Sequence, residues 1–458
     1  MEPLQGQTAG TPMPESVSTK LQRIAQLARE APQRALLSLA HYIDIEFLHE
    51  AFRRTRKEAA PGVDGQSGAE YAEHLEENLQ GLLDRFKSGR YHAPPVRRAY
   101  VPKGDGTTLR PIGVPTFEDK VLQRAVAMVL EAICEQDFLD CSYGFRLGRS
   151  AHQALQALWQ ELMQRGGGWV VEVDIRQFFD TVDHRQLRRF LDQRVRDGVI
   201  RRTLDKWLKA GVLDGPTLSH PEQGTPQGSG VSPLLANLYL HEVLDKWFAT
   251  VVKPRLTGRA CLIRYADDAV LVFACEEDAR RVLAVLPKRF GKYGLTLHPE
   301  KTRLLRCAPP LEGATGAERR GREAAHSFAF LGLTHYWEQS RQGQWVVKRK
   351  TAADRFGRVV KRIARWCRLN RHQPVPWQHQ HLSHQLRGHD AYYGITGNGD
   401  ALRRLRYEVA RAWQKWLNRR SHRAAMSWER FQVLLSRYPL PTPILYHSVY
   451  RHVAKPCR

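Results

Sequence analysis

The 458-residue sequence has few cysteines and no long apolar run. Its seven cysteines are an odd number and contain no C-x-x-C pair, which argues against a disulfide framework and against a zinc ribbon. No run approaches the ~18 apolar residues that a membrane-spanning helix needs, and the N-terminus lacks the apolar core of a signal peptide. We therefore expect a soluble intracellular protein with no membrane partner.

The chain does contain enough apolar residues for several hydrophobic cores. Hydrophobic residues make up 42% of it and charged residues 26%, and a chain of this length usually forms two to four domains. This composition excludes a protein that is disordered throughout. Residues 1–18 are rich in Gly, Thr, Pro and Gln, and we expect only this segment to be disordered.

The formal charge of +24 is concentrated near the C-terminus. Residues 341–458 contain 25 Lys+Arg and 5 Asp+Glu, which leaves 46 and 42 for the first 340 residues. A nearly balanced body followed by a basic segment suggests a catalytic or structural unit joined to a polyanion-binding unit. A solvated basic surface is the alternative, and charge alone does not distinguish the two.

Hydrophobic periodicity and turn residues predict a mixed α and β chain. The predicted helices cover residues 21–52, including Leu36, Leu37 and Leu39, then 75–86, 121–133, 183–210, 232–248, 276–293 and most of the chain beyond 348. The predicted strands are a pair around the Gly-Asp-Gly turn, then 169–175, a pair within 262–273, 295–297 and 328–333. Residues 59–68 and 311–325 have the composition of turns or surface loops.

Carboxylates follow two of the apolar strands. Asp174 ends VVEVDI, and Asp267 and Asp268 form the acidic pair of YADD. Like charges a few ångströms apart raise one another's pKa unless a cation neutralises them. Oxygen ligands on rigid strands suit two Mg²⁺ ions, one activating a 3′-hydroxyl and the other stabilising a leaving pyrophosphate. An Asp-Asp pair alone is more often an ordinary turn, so the surrounding motifs are decisive.

Seven sequence blocks provide that context. They are VPKGDGTTLRPIGVPTFEDKVLQ, SYGFRLGRSAHQAL, VEVDIRQFFDTVDH, GTPQGSGVSPLLANLYL, RYADD, GLTLHPEKTRL and FAFLGL. In content and order they resemble the blocks of reverse transcriptases encoded by bacterial group II introns, from about residue 59 to 337, and the basic segment continues the resemblance. It implies an α+β right-hand polymerase with fingers, a palm containing an antiparallel sheet, and a helical thumb.

The resemblance also implies domain boundaries. Residues 19–95 correspond to an N-terminal helical extension and the start of the fingers, 96–340 to the fingers and palm, and 341–458 to the thumb and maturase RNA-binding region. Several family members carry an endonuclease domain with paired cysteines and histidines after this region. We expect that domain to be absent here, because the chain ends at Arg458 with only Cys457 nearby.

Four residues match catalytic positions of the family. Asp174 and Asp267 match its two metal-binding aspartates, and Asp268 matches the third acidic residue. The resemblance implies two Mg²⁺ ions there, with Mn²⁺ as a substitute. Lys301 resembles the motif lysine suspected of protonating pyrophosphate, and a surface ion pair with Glu300 or Asp268 is its alternative.

Five residues match positions that bind the incoming dNTP. Lys103 and Arg110 flank the Gly-Asp-Gly turn, where a point charge and a planar guanidinium suit a triphosphate. Phe179 falls where the family places an aromatic ring under the sugar, disfavouring a ribose 2′-hydroxyl; a core phenylalanine is the alternative. Gln227 and Gly228 match the motif that contacts the nucleotide and template base, with glycine permitting close backbone approach.

Five further residues match positions near the nucleic acid. Phe330, Leu331 and Gly332 resemble the primer grip, a short apolar turn that supports the primer end. Arg146 and Arg149 lie in a block near the template path, and we assign them general nucleic-acid contact.

The basic segment interleaves Lys and Arg with tryptophans, among them Trp366, Trp413, Trp416 and Trp428. This mixture suits phosphate contacts combined with aromatic packing on RNA. Trp413 and Trp416 have the spacing of core anchors on one helix, so the arginines are the better candidates for RNA contact. Binding should then depend strongly on salt.

The resemblance implies an RNA-directed DNA polymerase acting in the bacterial cytoplasm, and at the nucleoid when it acts on DNA. Its partners would be an RNA template, with group II intron RNA as the candidate, a DNA or RNA primer, and dNTPs; it would also assist intron splicing and mobility. Two alternatives stay open. One is a splicing factor that makes little use of its polymerase, and the other is a domesticated reverse transcriptase in phage defence, spacer acquisition or DNA repair. The sequence specifies no oligomeric state.

Overall fold

The computed structural model describes residues 16–102, 109–219, 223–225, 228–309, 326–420 and 426–448. The α-helices are α1 (Val17–Glu30), α2 (Ile45–Arg54), α3 (Gly68–Glu73), α4 (Leu75–Ser88), α5 (Phe117–Asp137), α6 (Ala151–Arg165), α7 (Phe178–Thr181), α8 (His184–Asp192), α9 (Gly198–Leu208), α10 (Ser232–Leu240), α11 (Glu276–Gly291), α12 (Ala353–Leu369), α13 (Val375–Tyr393), α14 (Gly399–Leu417) and α15 (Trp428–Arg437). The strands are β1 (Val96–Pro102), β2 (Leu109–Val114), β3 (Gly168–Val173), β4 (Val212–Asp214), β5 (Thr217–Ser219), β6 (Ala260–Tyr265), β7 (Asp268–Phe273), β8 (Arg303–Cys307), β9 (Phe328–Phe330), β10 (Leu333–Gln339) and β11 (Trp345–Thr351). Two π-helical segments, His241–Asp245 and Phe248–Val252, extend α10. The predicted α+β class is confirmed.

A four-stranded antiparallel sheet in the order β6-β7-β3-β8 lies at the centre of the fold. Strand β7 is buried from Ala269 to Phe273 because helices and loops cover both faces of the sheet. Helix α5 is buried around most of its circumference, as expected for a helix packed on several sides, and it contacts α1, α2 and α10. The catalytic candidates lie where β3 ends and β7 begins.

Two smaller sheets flank this unit. One has the order β2-β1-β4-β5, and its β1–β2 hairpin confirms the predicted strands around the Gly-Asp-Gly turn. The turn itself, with Lys103, lies outside the described residues. The other is the antiparallel sheet β11-β10-β9, which precedes the C-terminal helices.

The C-terminal basic segment forms a helical bundle of α12 to α15 around its own apolar core. Trp413 is fully buried in this core, and its indole nitrogen donates a hydrogen bond of 2.9 Å to Gln378. The predicted anchor role of Trp413 is therefore confirmed. Trp416 is only half-buried, and the guanidinium groups of Arg368 and Arg419 lie over its ring.

Two helix predictions fail for one structural reason. Leu36 is not helical and pairs instead with Val195, which divides the predicted helix over 183–210 into α8 and α9. The buried Arg194 guanidinium stabilises this arrangement by donating hydrogen bonds to the carbonyls of Ala28 and Ala31. A contact between distant segments thus overrides the local helical periodicity.

Smaller corrections concern element boundaries. Helix α1 begins at Val17, so the predicted disordered segment extends two residues too far; residues 1–15 lie outside the described ranges. The strand expected at 295–297 is a single bridge between Leu297 and Ile175, and the full strand is β8. The loop predicted at 311–325 is likewise outside the described residues. No described helix is long and apolar enough to cross a membrane.

Candidate active site

The acidic pair of YADD lies in the tight turn between β6 and β7. Tyr265 and Asp268 are the last paired residues of the hairpin, so Ala266 and Asp267 form its two-residue loop. Ala266 has a φ of 56°, a left-handed conformation that is costly for a residue with a side chain. Contacts outside the hairpin must therefore support the turn.

A buried network beneath the turn provides this support. The guanidinium of Arg264, fully buried, donates to Asp245 at 2.7 Å, to Asn237 at 2.9 Å and to the Ala266 carbonyl at 2.9 Å. Asn237 in turn donates a hydrogen bond to the carbonyl of Gly144. Gly144 packs closely against the turn, because a Cβ at this position would lie 2.3 Å from the backbone nitrogen of Ala266. The network thus fixes the backbone from which Asp267 and Asp268 project.

Asp174 follows β3, the strand that pairs with β7, and so lies beside the YADD turn. Its carbonyl accepts a hydrogen bond of 2.8 Å from the His298 amide. Its carboxylate accepts from the Lys301 ammonium at 3.1 Å. Lys301 therefore forms an ion pair, and the partner is Asp174 rather than Glu300 or Asp268.

Burial and mutual repulsion shape the charge of the acidic site. Burial, and to a smaller extent the neighbouring Asp267 and Asp174, raise the pKa of Asp268 to about 6, against the lowering effect of Arg355 and Lys301. The pKa of Asp267 is also raised, first by burial and then by Asp174, while Arg110 and Arg264 favour its ionised form. A bound cation would relieve both effects.

The donor atoms of the site fit a divalent metal ion in chemical type. Asp174, Asp267 and Asp268 present carboxylate oxygens on adjoining strands, the ligands that hard cations prefer. Within the described ranges, no three His, Cys, Asp or Glu side chains converge closely enough to form a ready-made chelating group. The three carboxylates are thus neighbours, but they are not close enough together to bind one ion as they stand. The carboxylate of Asp174 is also paired with Lys301.

A cleft of about 410 Å³ opens beside these residues. Its lining includes Asp174, Asp268 and Lys301 on one side and the turn of residues 330–332 on the other. Arg355, in the first turn of α12, also lines it. The structure therefore brings Asp174, Asp268 and Lys301 to one cleft with the predicted primer-grip residues, while Asp267 lies in the adjoining YADD turn and does not line it.

The predicted primer-grip residues form the tight turn between β9 and β10. Leu331 and Gly332 both have positive φ values, 51° and 77°. The Tyr392 hydroxyl donates to the Leu331 carbonyl at 3.0 Å, and a Cβ at Gly332 would lie 2.9 Å from the Tyr393 hydroxyl. Helix α13 therefore holds this turn at the edge of the cleft.

Phe178 and Phe179 have different environments. Phe178 is buried in the main core, whereas Phe179 is half-buried and lines a separate cavity of about 290 Å³ between the β1–β2 sheet and the central unit. Gly228 has a φ of +113°, and a Cβ there would lie 2.6 Å from the Gly113 carbonyl oxygen of β2. The close backbone approach that this glycine permits is therefore to β2 of the protein itself. Gln227 lies outside the described residues.

Arg146 and Arg149 lie away from the cleft and are engaged within the protein. Arg146 is buried, and its guanidinium donates to Glu135 and to two backbone carbonyls. Its burial and these hydrogen bonds favour a structural role, and its contact with nucleic acid stays a prediction. Arg149 forms an ion pair with the exposed Asp140, and it is only partly exposed itself.

The sequence interpretation missed the residues that position the site. Arg264, Asn237 and Asp245 looked like ordinary helix and strand positions, although an Arg inside an apolar strand is an unusual residue that could have drawn attention. Gln123 is another case: it is buried in α5, and its side-chain oxygen accepts hydrogen bonds from Ser229 and Gly230, which follow Gly228 directly. Each acts through contacts that span long sequence separations.

Comparisons with known proteins agree with this geometry. The family model described as reverse transcriptase (RNA-dependent DNA polymerase) matches residues 101–335, about half of the chain. Protein YkfC of Escherichia coli (strain K12) is 34% identical over 328 residues, which cover 63% of this chain and 84% of that protein.

Two intron-encoded proteins are also similar. The group II intron-encoded protein LtrA of Lactococcus lactis subsp. cremoris is 43% identical over 172 residues, covering 38% of this chain and 28% of LtrA. The putative COX1/OXI3 intron 1 protein of Saccharomyces cerevisiae is 27% identical over 279 residues, covering 50% of this chain and 33% of that protein. The chain thus spans most of YkfC but about a third or less of these two relatives. With a matched domain of 235 residues that contains Asp174, Asp267 and Asp268, the chain belongs to the reverse transcriptase family.

Proposed function

We propose that this protein extends the 3′-end of a DNA or RNA primer on an RNA template, with dNTPs as substrates. The observation that carries the proposal is the meeting of Asp174, Asp267 and Asp268 at the adjoining ends of β3 and β7, beside an open cleft. We assign residues 19–95 to an N-terminal extension and the start of the fingers, 96–340 to the fingers and palm, and 341–458 to the thumb and maturase region. The matched region, 101–335, falls within the second of these.

Members of this family use divalent metal ions, and we propose two Mg²⁺ ions here, with Mn²⁺ as a substitute. Asp174 and Asp267 would hold them, with Asp268 as the third acidic residue. When bound, such ions lower the pKa of a primer hydroxyl and stabilise the charge of a leaving pyrophosphate. The buried network around Arg264 keeps the carboxylates in place, so that little reorganisation is needed when substrates bind.

The remaining residues bind and orient the substrates. Lys103 and Arg110 hold the triphosphate from the β1–β2 hairpin, and Gln227 and Gly228 contact the nucleotide and template base. Phe179 lies under the sugar ring and disfavours a 2′-hydroxyl; its ring packs partly against the main core and also lines a cavity. The turn of Phe330, Leu331 and Gly332 supports the primer end.

Lys301 is proposed to protonate the leaving pyrophosphate. Its ammonium lies 3.1 Å from Asp174 at the mouth of the cleft, and 62% of its side chain is exposed, so it can turn toward a bound phosphate. Protonation of the leaving oxygen in the transition state typically contributes a rate factor of about 10² to 10⁴.

Primer extension on an RNA template in the presence of Mg²⁺ tests this function. The wild-type protein should extend the primer, and Asp267→Ala should abolish extension while still binding the primer–template. Asp84→Ala, a change at an exposed position on α4, is the matched control and should behave as the wild type. Equal synthesis by the wild type and Asp267→Ala would refute the assigned site.

We further propose that its RNA partner is group II intron RNA and that it assists splicing and mobility of that RNA. The basic segment and the likeness to LtrA, which is named as intron-encoded, support this role. The protein would act in the bacterial cytoplasm, and at the nucleoid when it acts on DNA. A binding comparison between a folded group II intron RNA and an unrelated structured RNA of equal length tests the partner, and equal affinities at moderate salt would contradict it.

A further inference from the structure

Three aromatic rings outside the active site lie nearly parallel on the surface of the C-terminal bundle. The rings of Trp366 and His381 are 4.2 Å apart with an interplanar angle of 2°. The ring of Trp377 lies 5.6 Å from Trp366 at 22° and 5.8 Å from His381 at 20°. Trp366 borders the apolar core, whereas 43% of Trp377 is exposed. We call these three residues the ring platform.

The backbone that carries the ring platform is held in place by buried hydrogen bonds. The platform spans the connection between α12 and α13, where the side-chain nitrogen of the buried Gln378 donates to the carbonyls of Asn370 and Gln373 at 2.8 Å each. The other end of this amide accepts from Trp413 in the core. The rings are thus fixed before any ligand arrives, which lowers the entropic cost of binding.

The surroundings of the ring platform are cationic. Helix α12 contains six Lys and Arg residues and one acidic residue, Asp354. Arg362 precedes Trp366 by one helical turn, and the neighbouring Arg365 is exposed. In α13 the one acidic residue is Asp390, in its last turn and far from Trp377. Flat rings near a helix that carries several arginines suit a ligand that combines a planar base with a phosphate.

The ring platform also lies along a helix that begins at the catalytic cleft. Arg355, near the start of α12, lines the cleft that contains Asp268. Trp366 is eleven residues further along the same helix, which corresponds to roughly 16 Å. An RNA strand that passes out of the cleft along α12 therefore reaches the rings within a few nucleotides.

We propose that Trp366, Trp377 and His381 form a stacking site for an unpaired base of the bound RNA. The inference rests on the proposed function in so far as RNA is the ligand. Stacking on a ring face tolerates any base, so the site would distinguish single-stranded from paired RNA rather than one sequence from another. Trp377 keeps an exposed face that a base could contact.

The test compares two RNA–DNA duplexes of equal length in a fluorescence-anisotropy binding assay with the full-length protein. One duplex is blunt, and the other carries a single-stranded uridine overhang on its RNA strand. The wild type should prefer the overhang, and Trp377→Ala should lose about tenfold in affinity for it and little for the blunt duplex. Trp377→Phe should restore most of the preference because it keeps a ring. Val433→Ala, which changes an exposed apolar residue of α15, should not alter the preference.

Salt dependence separates stacking from phosphate contact. Trp377→Ala should leave the dependence of the binding constant on salt concentration unchanged. Arg365→Ala should weaken that dependence by the amount that corresponds to about one lost phosphate contact. Equal losses on both duplexes without rescue by Trp377→Phe would make Trp377 a structural residue and overturn the inference. Unchanged RNA affinity in Trp377→Ala would also overturn the inference, and a protein partner would then be the candidate ligand of this surface.

Primer extension by the wild type is measured in parallel. This measurement distinguishes failure of the proposed polymerase function from failure of the proposed stacking site. No extension would count against the proposed function. Extension by the wild type, together with an intact overhang preference in Trp377→Ala, would count against the ring platform alone.

Discussion

Lys301 and Asp174 are 127 positions apart in the sequence, yet the ammonium nitrogen lies 3.1 Å from a carboxylate oxygen at the mouth of the cleft. The lysine side chain is 62% exposed, and exposed ion pairs contribute only about 0–1 kcal/mol to stability. The pair is therefore easily broken by a phosphate or a cation. It joins the two proposed catalytic groups without locking either of them.

This relationship predicts the effect of changing the lysine. Lys301→Ala should slow primer extension by about 10² to 10⁴ if the ammonium is the proton donor, while the free energy of unfolding changes by less than about 1 kcal/mol. Lys301→Arg keeps the positive charge but is a poor acid, so it should be nearly as slow. Single-turnover extension rates provide the measurement, and full activity of the arginine variant would leave Lys301 with an electrostatic role only.

The turn of residues 330–332 predicts that an alanine substitution at Gly332 affects primer binding more than the same substitution at Gly343. Gly332→Ala places a Cβ against the Tyr393 hydroxyl in a backbone with φ +77°, so it should weaken primer use. Gly343→Ala is the matched control, because its φ is +79° but nothing lies within 4 Å. The KM for primer–template should rise in the first variant and stay unchanged in the second. Equal effects would show that backbone strain alone is responsible.

The buried pair of Arg264 and Asp245 predicts a large loss of stability when one partner is removed. Asp245→Asn should lower the free energy of unfolding by about 3–5 kcal/mol, because the guanidinium is then left buried without its counter-charge. Arg280→Ala removes an exposed pair with Glu276 and should cost less than about 1 kcal/mol. Urea denaturation measures both, and similar values for the two would contradict the network's role.

The adjacent phenylalanines predict separable effects on selectivity and stability. Phe179→Ala should allow ribonucleotides to be incorporated more readily, because it removes the half-buried ring beside the cavity. Phe178→Ala should leave sugar selectivity unchanged but reduce stability by about 3–5 kcal/mol, as for other buried aromatic residues. The ratio of dNTP to rNTP incorporation is the readout for the first variant. An unchanged ratio in Phe179→Ala would return Phe179 to a packing role.

His335 predicts a loss of stability in acid. It is fully buried against Phe328, and burial together with Arg349 lowers its pKa to about 3. An unfolded histidine has a pKa near 6.5, so below that pH the unfolded chain gains a proton that the folded chain does not. Stability should therefore fall as the pH decreases from 6.5 toward 3, by about 2 kcal/mol from this group at pH 5. In His335→Leu the difference between urea midpoints at pH 7 and pH 5 should shrink, and an identical difference would contradict the prediction.

Elements set by local sequence were predictable. The hairpin on either side of the YADD turn follows from two apolar runs around an acidic pair, and α5 follows from its dense apolar periodicity. The position of Asp174 beside the turn could be expected, because carboxylates at the ends of paired strands meet at one sheet edge. The motif resemblance supplied the roles that spacing alone could not.

Features that depend on distant contacts could not be read from the sequence. The pairing of Leu36 with Val195 converts predicted helix into loop, and the local pattern of neither segment indicates the other. Likewise, Arg146 looks like any exposed arginine of a basic block until Glu135 is seen beside it. Long-range partners decide whether a charged side chain is structural or available to a ligand.

The network under the YADD turn links the site to the folding of the whole central unit. Arg264 joins Asp245, 19 positions away, Asn237, 27 positions away, and Ser142, 122 positions away. The left-handed backbone at Ala266 is therefore supported by segments from distant parts of the chain. We therefore expect local opening of the catalytic turn to be coupled to the cooperative unfolding of the unit. Enzymatic activity should then report the integrity of this unit as well as its chemistry.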